Sequence, residues 1–227
     1  MAGSGERFKE ITNLPKYKLK IRGKSMFEWA MLSLSSFFDE YFIFISLKKD
    51  SSKKFIEKNC KKIGISKFSI IELESLTRGQ AETAFRAEPY LEKDDEIIIY
   101  NIDTYVKKGK IKKCQIKGDG WIPYFNSPGE HWSFVKHDSG FRVYKISEKL
   151  KISNHASIGL YYFKNFKIFK EAYLNYYRKT KLKEHYVAPI YSVLIDKEKK
   201  IYSTKLKKEY VYVLGTPQEV KKFEKKY

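Results

Sequence analysis

Short apolar runs alternate with helical patterns through the first hundred residues of this chain. The spacing predicts helices over 27–38, 52–62 and 77–90, and the apolar runs at 40–47, 68–73 and 96–102 predict buried strands. The run at 96–102 follows a helix, is rich in β-branched residues and does not alternate, which is typical of a parallel strand covered on both faces. We therefore expect the α/β class, with an open, mostly parallel mixed sheet, helices on both faces and ligands beyond the carboxyl ends of the strands.

The sequence pattern changes after Tyr105, where shorter β-like segments are separated by glycines. These segments lie at 132–137, 141–146 and 158–163. Four aromatic residues then share one helical face and predict a helix whose stripe packs in the core: Phe166, Phe169, Tyr173 and Tyr176. Because no internal repeat and no Gly/Ser linker divides the chain, we expect a single domain over 1–227.

The charge of the chain favours a polyanionic ligand. Lys+Arg number 46 against 27 Asp+Glu, a formal net charge of +19. The lysines are spread along the chain, however, which favours a solvated surface over a recognition helix, so we do not expect nucleic acid as a partner. A nucleic-acid-binding module remains a rival hypothesis, and a steep loss of affinity with salt would reveal it.

Membrane insertion is not expected. The longest strongly apolar run, 41–47, is far shorter than the roughly 20 residues that a membrane helix needs. No basic-apolar-small leader opens the sequence, and Cys60 and Cys114 have neither metal-ligand nor disulfide spacing. We expect a soluble, cytoplasmic protein with two plain thiols.

A glycine loop at the start of the chain carries the strongest chemical signal. Gly3 and Gly5 allow successive backbone N–H groups to turn toward an anion, and Arg7 adds a fork of donors for phosphate oxygens. The pair Pro15-Lys16 follows, and then a Gly-Lys-Ser-Met segment at 23–26 leads into a helix. Together they predict a phosphate-binding site.

This order of motifs resembles the sugar-phosphate nucleotidyltransferase family, which transfers NMP from an NTP to a phosphorylated acceptor. Further matches lie downstream in order: Leu76 to Ala84, Ile99 to Asp103, Asp119 to Ile122, Glu148-Lys149, and Gly215-Thr216-Pro217. The resemblance implies a Rossmann-like (GT-A-like) fold, a nucleotide-binding part at about 1–105 and an acceptor-binding part at about 106–227. It also implies Mg²⁺ or Mn²⁺ as cofactor and an NTP and a small phosphorylated acceptor as partners.

The resemblance assigns roles to individual residues. Asp103 would bind the metal, and Arg7, Lys16 and Lys149 would hold the reacting phosphates as catalytic groups. The nucleotide-binding residues would be Ala2, Gly3, Ser4, Gly5, Thr77, Gly79, Gln80 and Asn101. The acceptor-binding residues would be Asp119, Gly120, Trp132, Glu148 and Tyr191.

Three departures from the family pattern stand out. Val213 occupies the place where relatives commonly carry a second metal-binding Asp, so that ligand is missing or comes from elsewhere. Tyr17-Lys18 follows Pro15-Lys16 where relatives often read Pro-Leu, so Lys18 could share phosphate binding with Lys16. Met1 already lies within the loop that should follow a central strand, which leads us to expect an apolar strand-forming segment upstream or another element in its place.

The later motifs narrow the expected activity. Trp121, the run His131 to Val135 and the run Tyr186 to Tyr191 resemble the branch of the family found in bacterial surface-polysaccharide gene sets. That branch implies transfer of CMP from CTP to L-glutamine phosphate in capsular polysaccharide modification. The alternatives are a sugar-1-phosphate nucleotidyltransferase and a catalytically inactive regulatory homologue.

Overall fold

A computed structural model describes residues 1, 3, 5–8 and 12–226, with only the main chain of Glu6. The chain forms two compact units. The first unit comprises Met1–Thr77, Asn101–Lys113 and Glu209–Tyr227, and the second comprises Arg78–Tyr100 and Cys114–Lys208.

The regular elements of the described residues are numbered in chain order. The strands are β1 Lys20–Ile21, β2 Lys24–Ser25, β3 Phe42–Leu47, β4 Phe68–Leu73, β5 Ile97–Tyr100, β6 Thr104–Val106, β7 Gly120–Asn126, β8 Ser133–His137, β9 Val143–Glu148, β10 His155–Ser157, β11 Leu160–Phe163, β12 Ile201–Lys205 and β13 Val211–Val213. The α-helices are α1 Met26–Ser33, α2 Lys53–Ile63, α3 Gln80–Phe85, α4 Phe166–Lys179, α5 Tyr191–Asp196 and α6 Pro217–Lys226. Single 3₁₀ turns include Glu6–Phe8 and Lys16–Lys18.

Local sequence signals build the first unit. The hairpin β1–β2 turns through Arg22 and Gly23, both at positive φ (48° and 77°), which is the backbone that a two-residue hairpin needs. Ser25 then caps α1, where its hydroxyl accepts from the Glu28 N–H and the Glu28 carboxylate accepts from the Ser25 N–H. In the same unit β3 pairs in parallel with β4, and β6 pairs antiparallel with β13.

The core of the first unit draws on its N-terminal turn, on α1 and on its C-terminal helix. Trp29 of α1 packs against Tyr105 and Phe223 with ring centroids 4.8 and 5.2 Å apart. The other buried members of this cluster are Phe8, Ile21, Met26, Leu214 and Val220. The cluster thereby ties α6 and the strand β6 to the segment that carries the glycine loop.

A seven-stranded sheet forms the second unit. Its order is β5-β11-β7-β10-β8-β9, and β12 pairs in parallel with β7. The strand β7 is buried along nearly all of its length and contacts β10, β11 and β12. It is the central strand of this unit.

The helix α4 covers the core of the second unit with its aromatic face. Asn165 caps it by accepting from the Ile168 N–H at 2.8 Å. Phe166, Phe169 and Tyr173 are buried in one cluster, with Tyr176 partly buried against it. The predicted core role of this stripe is therefore confirmed.

The α/β class with a mixed sheet is confirmed, and the pairing adds detail. Parallel pairing among the described strands occurs in β3–β4 and β7–β12, and the other pairs are antiparallel. The run at 96–102 gives β5, which pairs antiparallel with β11, so its expected parallel pairing is wrong on that edge. The reason is that continuous apolar character reports burial on both faces and not strand direction.

Two further expectations concern the thiols and membranes. Cys60 is buried and Cys114 is exposed, and both are free, as predicted. Among the helices of the described residues, none has the length and apolar character required to cross a bilayer.

Candidate active site

The N-terminal turn of the first unit presents Arg7 to solvent. Gly5 adopts a positive φ of 64°, and its carbonyl accepts from the Phe8 N–H at 2.9 Å, which closes the turn Glu6–Phe8. Phe8 is buried with 2% of its surface exposed, so it anchors the turn while Arg7 stays exposed. Gly3 is exposed with open space around it. Ala2 and Ser4, the other predicted nucleotide-binding residues of this loop, lie outside the described residues.

Lys16 and Asp103 form an ion pair in the first unit. The Lys16 Nζ donates to the Asp103 Oδ2 at 2.6 Å, and the side chains are only 24% and 22% exposed. Burial alone would raise the pKa of the Asp103 carboxyl, but Lys16, and to a lesser degree Arg7, lower it below its usual value. Two residues chosen from motifs 87 positions apart thus meet at one charged centre.

Lys18 is engaged away from this pair. Its Nζ donates to the carbonyl oxygens of Asp50 and Ser51, at 2.5 and 3.4 Å. The Tyr17 hydroxyl, beside it in sequence, donates to the Asp50 carboxylate at 3.0 Å. These contacts fix the segment after Pro15 to the loop that follows β3.

The position of the missing second carboxylate is apolar in the structure as well. Val213 lies in β13 and pairs with Thr104 of β6. One carboxylate close to Asp103 is Glu219, since a Cβ placed on Gly215 would lie 3.5 Å from the Asp103 Oδ2 and 3.6 Å from the Glu219 Oε2. That Glu219 oxygen accepts from the Thr216 hydroxyl at 3.0 Å in the cap of α6. Within the described part of the chain, no group of three His, Cys, Asp or Glu side chains forms a metal cluster.

Asp103 nevertheless fits a hard divalent cation. Its carboxylate is ionised and partly exposed, and Mg²⁺ is commonly held by one or two carboxylates with substrate phosphates and water completing the octahedron. Asp103 is therefore the residue of this unit that would hold such an ion.

Gly79 lies in the segment predicted to bind the nucleotide and contacts a second loop. Its φ is 154°, and a Cβ there would lie 2.6 Å from the His185 carbonyl oxygen. The backbones pair on both sides of this contact, with the His185 N–H donating to the Arg78 carbonyl and the Ala81 N–H donating to the His185 carbonyl, each at 2.9 Å. Gln80 begins α3 directly after this clamp and is half-buried. Thr77 precedes it, half-buried, at the end of its segment of the first unit, and Asn101 follows β5 and is also half-buried.

Glu82 fixes the same segment from within α3. Its carboxylate accepts from the Arg78 N–H at 2.7 Å, from the Arg78 Nε at 2.9 Å and from an Arg86 nitrogen at 3.1 Å. Burial would raise the pKa of Glu82, but these donors outweigh it and lower the pKa to about 2. Glu82 is thus held ionised next to the loop that contains Gly79.

Glu148 and Lys149 lie at the end of β9 in the second unit. Glu148 pairs across the strands with Ser133 of β8, and the Lys149 N–H donates to the Trp132 carbonyl at 2.9 Å. Lys149 has a φ of 55°, an uncommon backbone for a residue with a Cβ that is often found at functional sites. The turn directs the Lys149 ammonium to the Tyr186 hydroxyl and to the Glu184 carboxylate, 3.5 Å away.

The charges of this group perturb each other. Burial raises the pKa of Glu148 and Glu184 adds to the rise, while the Ser133 hydroxyl and Lys149 oppose it. The Tyr186 hydrogen bond, together with the two carboxylates, raises the pKa of Lys149. We call Glu148, Lys149, Glu184 and Tyr186 the acceptor cluster; it holds two carboxylates and one ammonium.

Three other predicted acceptor residues have structural partners. Tyr191 is fully buried, and its hydroxyl donates to the Tyr162 carbonyl at 2.6 Å. Gly120 lies against this ring, since a Cβ there would be 2.7 Å from the Tyr191 Cε1. Asp119 accepts from the Lys200 N–H at 2.9 Å and so fixes the start of β7 to β12. Their role in binding an acceptor stays a prediction.

Trp132 lies beside the acceptor cluster. Its ring packs edge-on against Phe125 with centroids 5.6 Å apart, and it is half-buried. The indole Nε1 is buried without a hydrogen-bond partner in the described part of the chain.

Sequence reasoning missed Glu184, His185 and Tyr186. They occupy a polar stretch with no periodic pattern, and a loop of this composition carries no signal for its partner segments. Of these three residues, only Tyr186 belongs to a run that the sequence analysis named, the run Tyr186 to Tyr191.

Comparisons with known proteins identify the family of the chain. The model of the family described as nucleotidyl transferase matches residues 1–227. A crystal structure of a nucleoside-diphosphate-sugar pyrophosphorylase from Vibrio cholerae RC9 is 31% identical, with a TM-score of 0.91 over 99% of this chain and 98% of that one. Comparison with curated proteins finds no match.

More distant structures share the fold. An inositol-1-phosphate CTP transferase from T. maritima is 16% identical, with a TM-score of 0.79 over 99% of this chain and 91% of that one. An apo UDP-glucose pyrophosphorylase is 15% identical, with a TM-score of 0.76 over 99% and 94%. With a family match along its whole length, the chain belongs to the nucleotidyl transferase family and is a transferase.

Proposed function

We propose that this protein transfers CMP from CTP to a small phosphorylated acceptor, L-glutamine phosphate, and releases CDP-L-glutamine and pyrophosphate. An acceptor phosphate oxygen attacks the α-phosphorus, a new P–O–P bond forms, and the bond to the bridging oxygen breaks as pyrophosphate leaves. In this proposal the reaction takes place in the cytoplasm and supplies capsular polysaccharide modification, as in the CTP:phosphoglutamine cytidylyltransferases that the sequence resembles.

The observation that carries the acceptor class is the mixed charge of the acceptor cluster. Two carboxylates, Glu148 and Glu184, accompany a single ammonium, Lys149, within salt-bridge distance of Glu184. An amino-acid phosphate presents an ammonium to the carboxylates and anionic groups to Lys149. A sugar phosphate carries no cation, so one carboxylate of the cluster would be left without a counter-charge.

The phosphates of the nucleotide are the proposed ligands of Arg7 and Lys16. Phosphoryl transfer joins two polyanions, so the protein contributes positive charge and alignment more than covalent chemistry. Lys16 is held at its position by Asp103, and Arg7 by the buried Phe8 at the end of its turn. Mg²⁺ or Mn²⁺, when bound at Asp103, would neutralise phosphate charge.

A sugar 1-phosphate is the second candidate acceptor. The 31% identical Vibrio protein is a nucleoside-diphosphate-sugar pyrophosphorylase, which favours this candidate. The nucleotide base also differs among structural neighbours, since one is a CTP transferase and another is a UDP-glucose enzyme. An inactive homologue is the third candidate, because Val213 replaces a carboxylate.

A pyrophosphate-release screen separates these candidates. Each of the four NTPs is tested against glutamine phosphate and common sugar 1-phosphates, with Mg²⁺ and with a chelator, and Lys16→Ala serves as the inactive control. We expect the highest kcat/KM with CTP and glutamine phosphate. A higher value with a sugar 1-phosphate would refute the amino-acid acceptor, and no release with any pair would favour the inactive homologue.

A further inference from the structure

A chain of hydroxyl groups leads through the second unit to Glu148. The Tyr161 hydroxyl donates to the Ser133 Oγ at 3.0 Å, and Ser133 donates to the Glu148 Oε2 at 2.5 Å. The three residues come from β11, β8 and β9, so the chain joins three strands of the sheet.

The chemistry of the last acceptor sets the direction of this chain. An ionised carboxylate only accepts hydrogen bonds, so the Ser133 hydroxyl donates its hydrogen bond to Glu148. The Ser133 lone pairs are then free to accept from the Tyr161 hydroxyl. Each donor strengthens the next, and all of them favour the ionised form of Glu148.

We propose that Ser133 and Tyr161 are positioning residues that orient Glu148 and hold it as a carboxylate for the acceptor. The inference rests on the proposed function for the identity of what Glu148 binds, but not for the hydroxyl chain itself. Ser133 takes one oxygen of Glu148 and leaves the other for a ligand. Ser133 lies in the run His131 to Val135, but no local pattern predicts this role for Ser133 or Tyr161, because their contacts join positions 15 and 28 apart.

Other groups around Glu148 act in both directions on its ionisation. Lys149 favours the carboxylate and Glu184 opposes it, in addition to burial, which is the largest opposing effect on the pKa. The charge of Glu148 in turn contributes to the raised pKa of three phenols: Tyr161, Tyr176 and Tyr177. Without the Ser133 donor, burial and Glu184 are opposed by Lys149 alone.

The first test needs no acceptor. Carboxyl ¹³C NMR of the full chain follows the titration of Glu148, assigned by its loss in Glu148→Gln. We expect the midpoint to move to higher pH in Ser133→Ala and by a smaller amount in Tyr161→Phe, with recovery in Ser133→Thr. Tyr162→Phe is the matched control for Tyr161→Phe, since it also removes a phenol hydroxyl, from the next residue of β11. Ser153→Ala is the control for Ser133→Ala, since it removes a half-buried hydroxyl that donates to a backbone carbonyl.

The second test is kinetic, with the acceptor that the pyrophosphate screen identifies. Ser133→Ala should raise the KM for the acceptor about tenfold, the size expected for a hydrogen bond to a charged group, and leave the KM for the nucleotide unchanged. The acidic limb of kcat/KM for the acceptor should move to higher pH. An unmoved Glu148 midpoint in both variants would overturn the inference. A moved midpoint in a protein that is inactive with every acceptor would instead refute the proposed function and leave the hydroxyl chain standing.

Discussion

Glu82 offers the sharpest test of how the segment around Gly79 is held. Its carboxylate is 9% exposed and accepts four hydrogen bonds from Arg78 and Arg86. The substitution Glu82→Gln keeps the size of the side chain and removes the charge. Because the pKa falls from 4.5 in the free side chain to about 2, the folded state gains about 3 kcal/mol from ionised Glu82 at neutral pH.

The sign of this effect fixes its pH dependence. A carboxyl with a lowered pKa in the folded state stabilises the protein above the unfolded value of 4.5, and this contribution is lost as the pH falls toward about 2. We expect Glu82→Gln to lower the free energy of unfolding by about 2–3 kcal/mol at pH 7 and by about 1 kcal/mol at pH 3. Glutamine keeps one acceptor oxygen, which places the expected loss slightly below the full value.

Urea denaturation followed by circular dichroism measures this difference. Glu74→Gln is the matched control, because its partner Lys48 is 2.7 Å away but the two side chains are 78% and 64% exposed. An exposed pair of this kind contributes about 0.5 kcal/mol or less. A loss below about 0.5 kcal/mol for Glu82→Gln at pH 7, or a loss that stays constant down to pH 3, would refute the reasoning.

Three further predictions concern the transfer reaction and its nucleotide. Arg7→Ala and Lys16→Ala should each lower kcat at least about 100-fold in the pyrophosphate assay, whereas the exposed Lys20→Ala should not; near wild-type turnover in both would end that assignment. Asp103→Asn should raise the Mg²⁺ concentration needed for half-maximal activity and for Mg²⁺-induced protection against thermal unfolding, and an unchanged metal titration would make Asp103 structural. Gly79→Ala should raise the KM for the nucleotide about tenfold or more, because the new Cβ meets the His185 backbone at 2.6 Å, while Gly140→Ala, with its nearest contact at 3.4 Å, should not.

Much of the fold was predictable where one local pattern determined an element. The apolar run at 68–73 has the same bounds as β4, and the serine at 52 precedes α2. The central strand β7 was missed because Gly120 and Pro123 interrupt its pattern, although the strand is buried on both faces. The helix α6 was also missed, although Thr216 and Glu219 form the cap that its sequence allows and Pro217 occupies the first turn.

The residues of the candidate site also differ in whether a local pattern predicts them. Arg7, Lys16 and Asp103 were predicted as site residues because each belongs to a short motif, and the Lys16–Asp103 ion pair is compatible with that prediction. The roles proposed here for Ser133, Tyr161 and Glu184 depend on strand register or on a loop contact. Register is determined by the pattern of whole paired strands and their turns, so a short motif does not specify it.

The charge of the chain and the charge of the acceptor cluster act at different ranges. A net charge of +19 attracts any phosphorylated molecule, so it raises encounter rates for nucleotides and sugar phosphates alike. In the proposed function, discrimination comes from groups within contact distance of the acceptor, where Glu148 and Glu184 outnumber Lys149. An acceptor that carries only negative charge is attracted by the net positive charge of the chain but repelled by the two carboxylates of the cluster. An acceptor with its own ammonium is attracted by the net charge through its phosphate and by the carboxylates through its ammonium. For this reason the cluster, more than the total charge, favours an amino-acid phosphate.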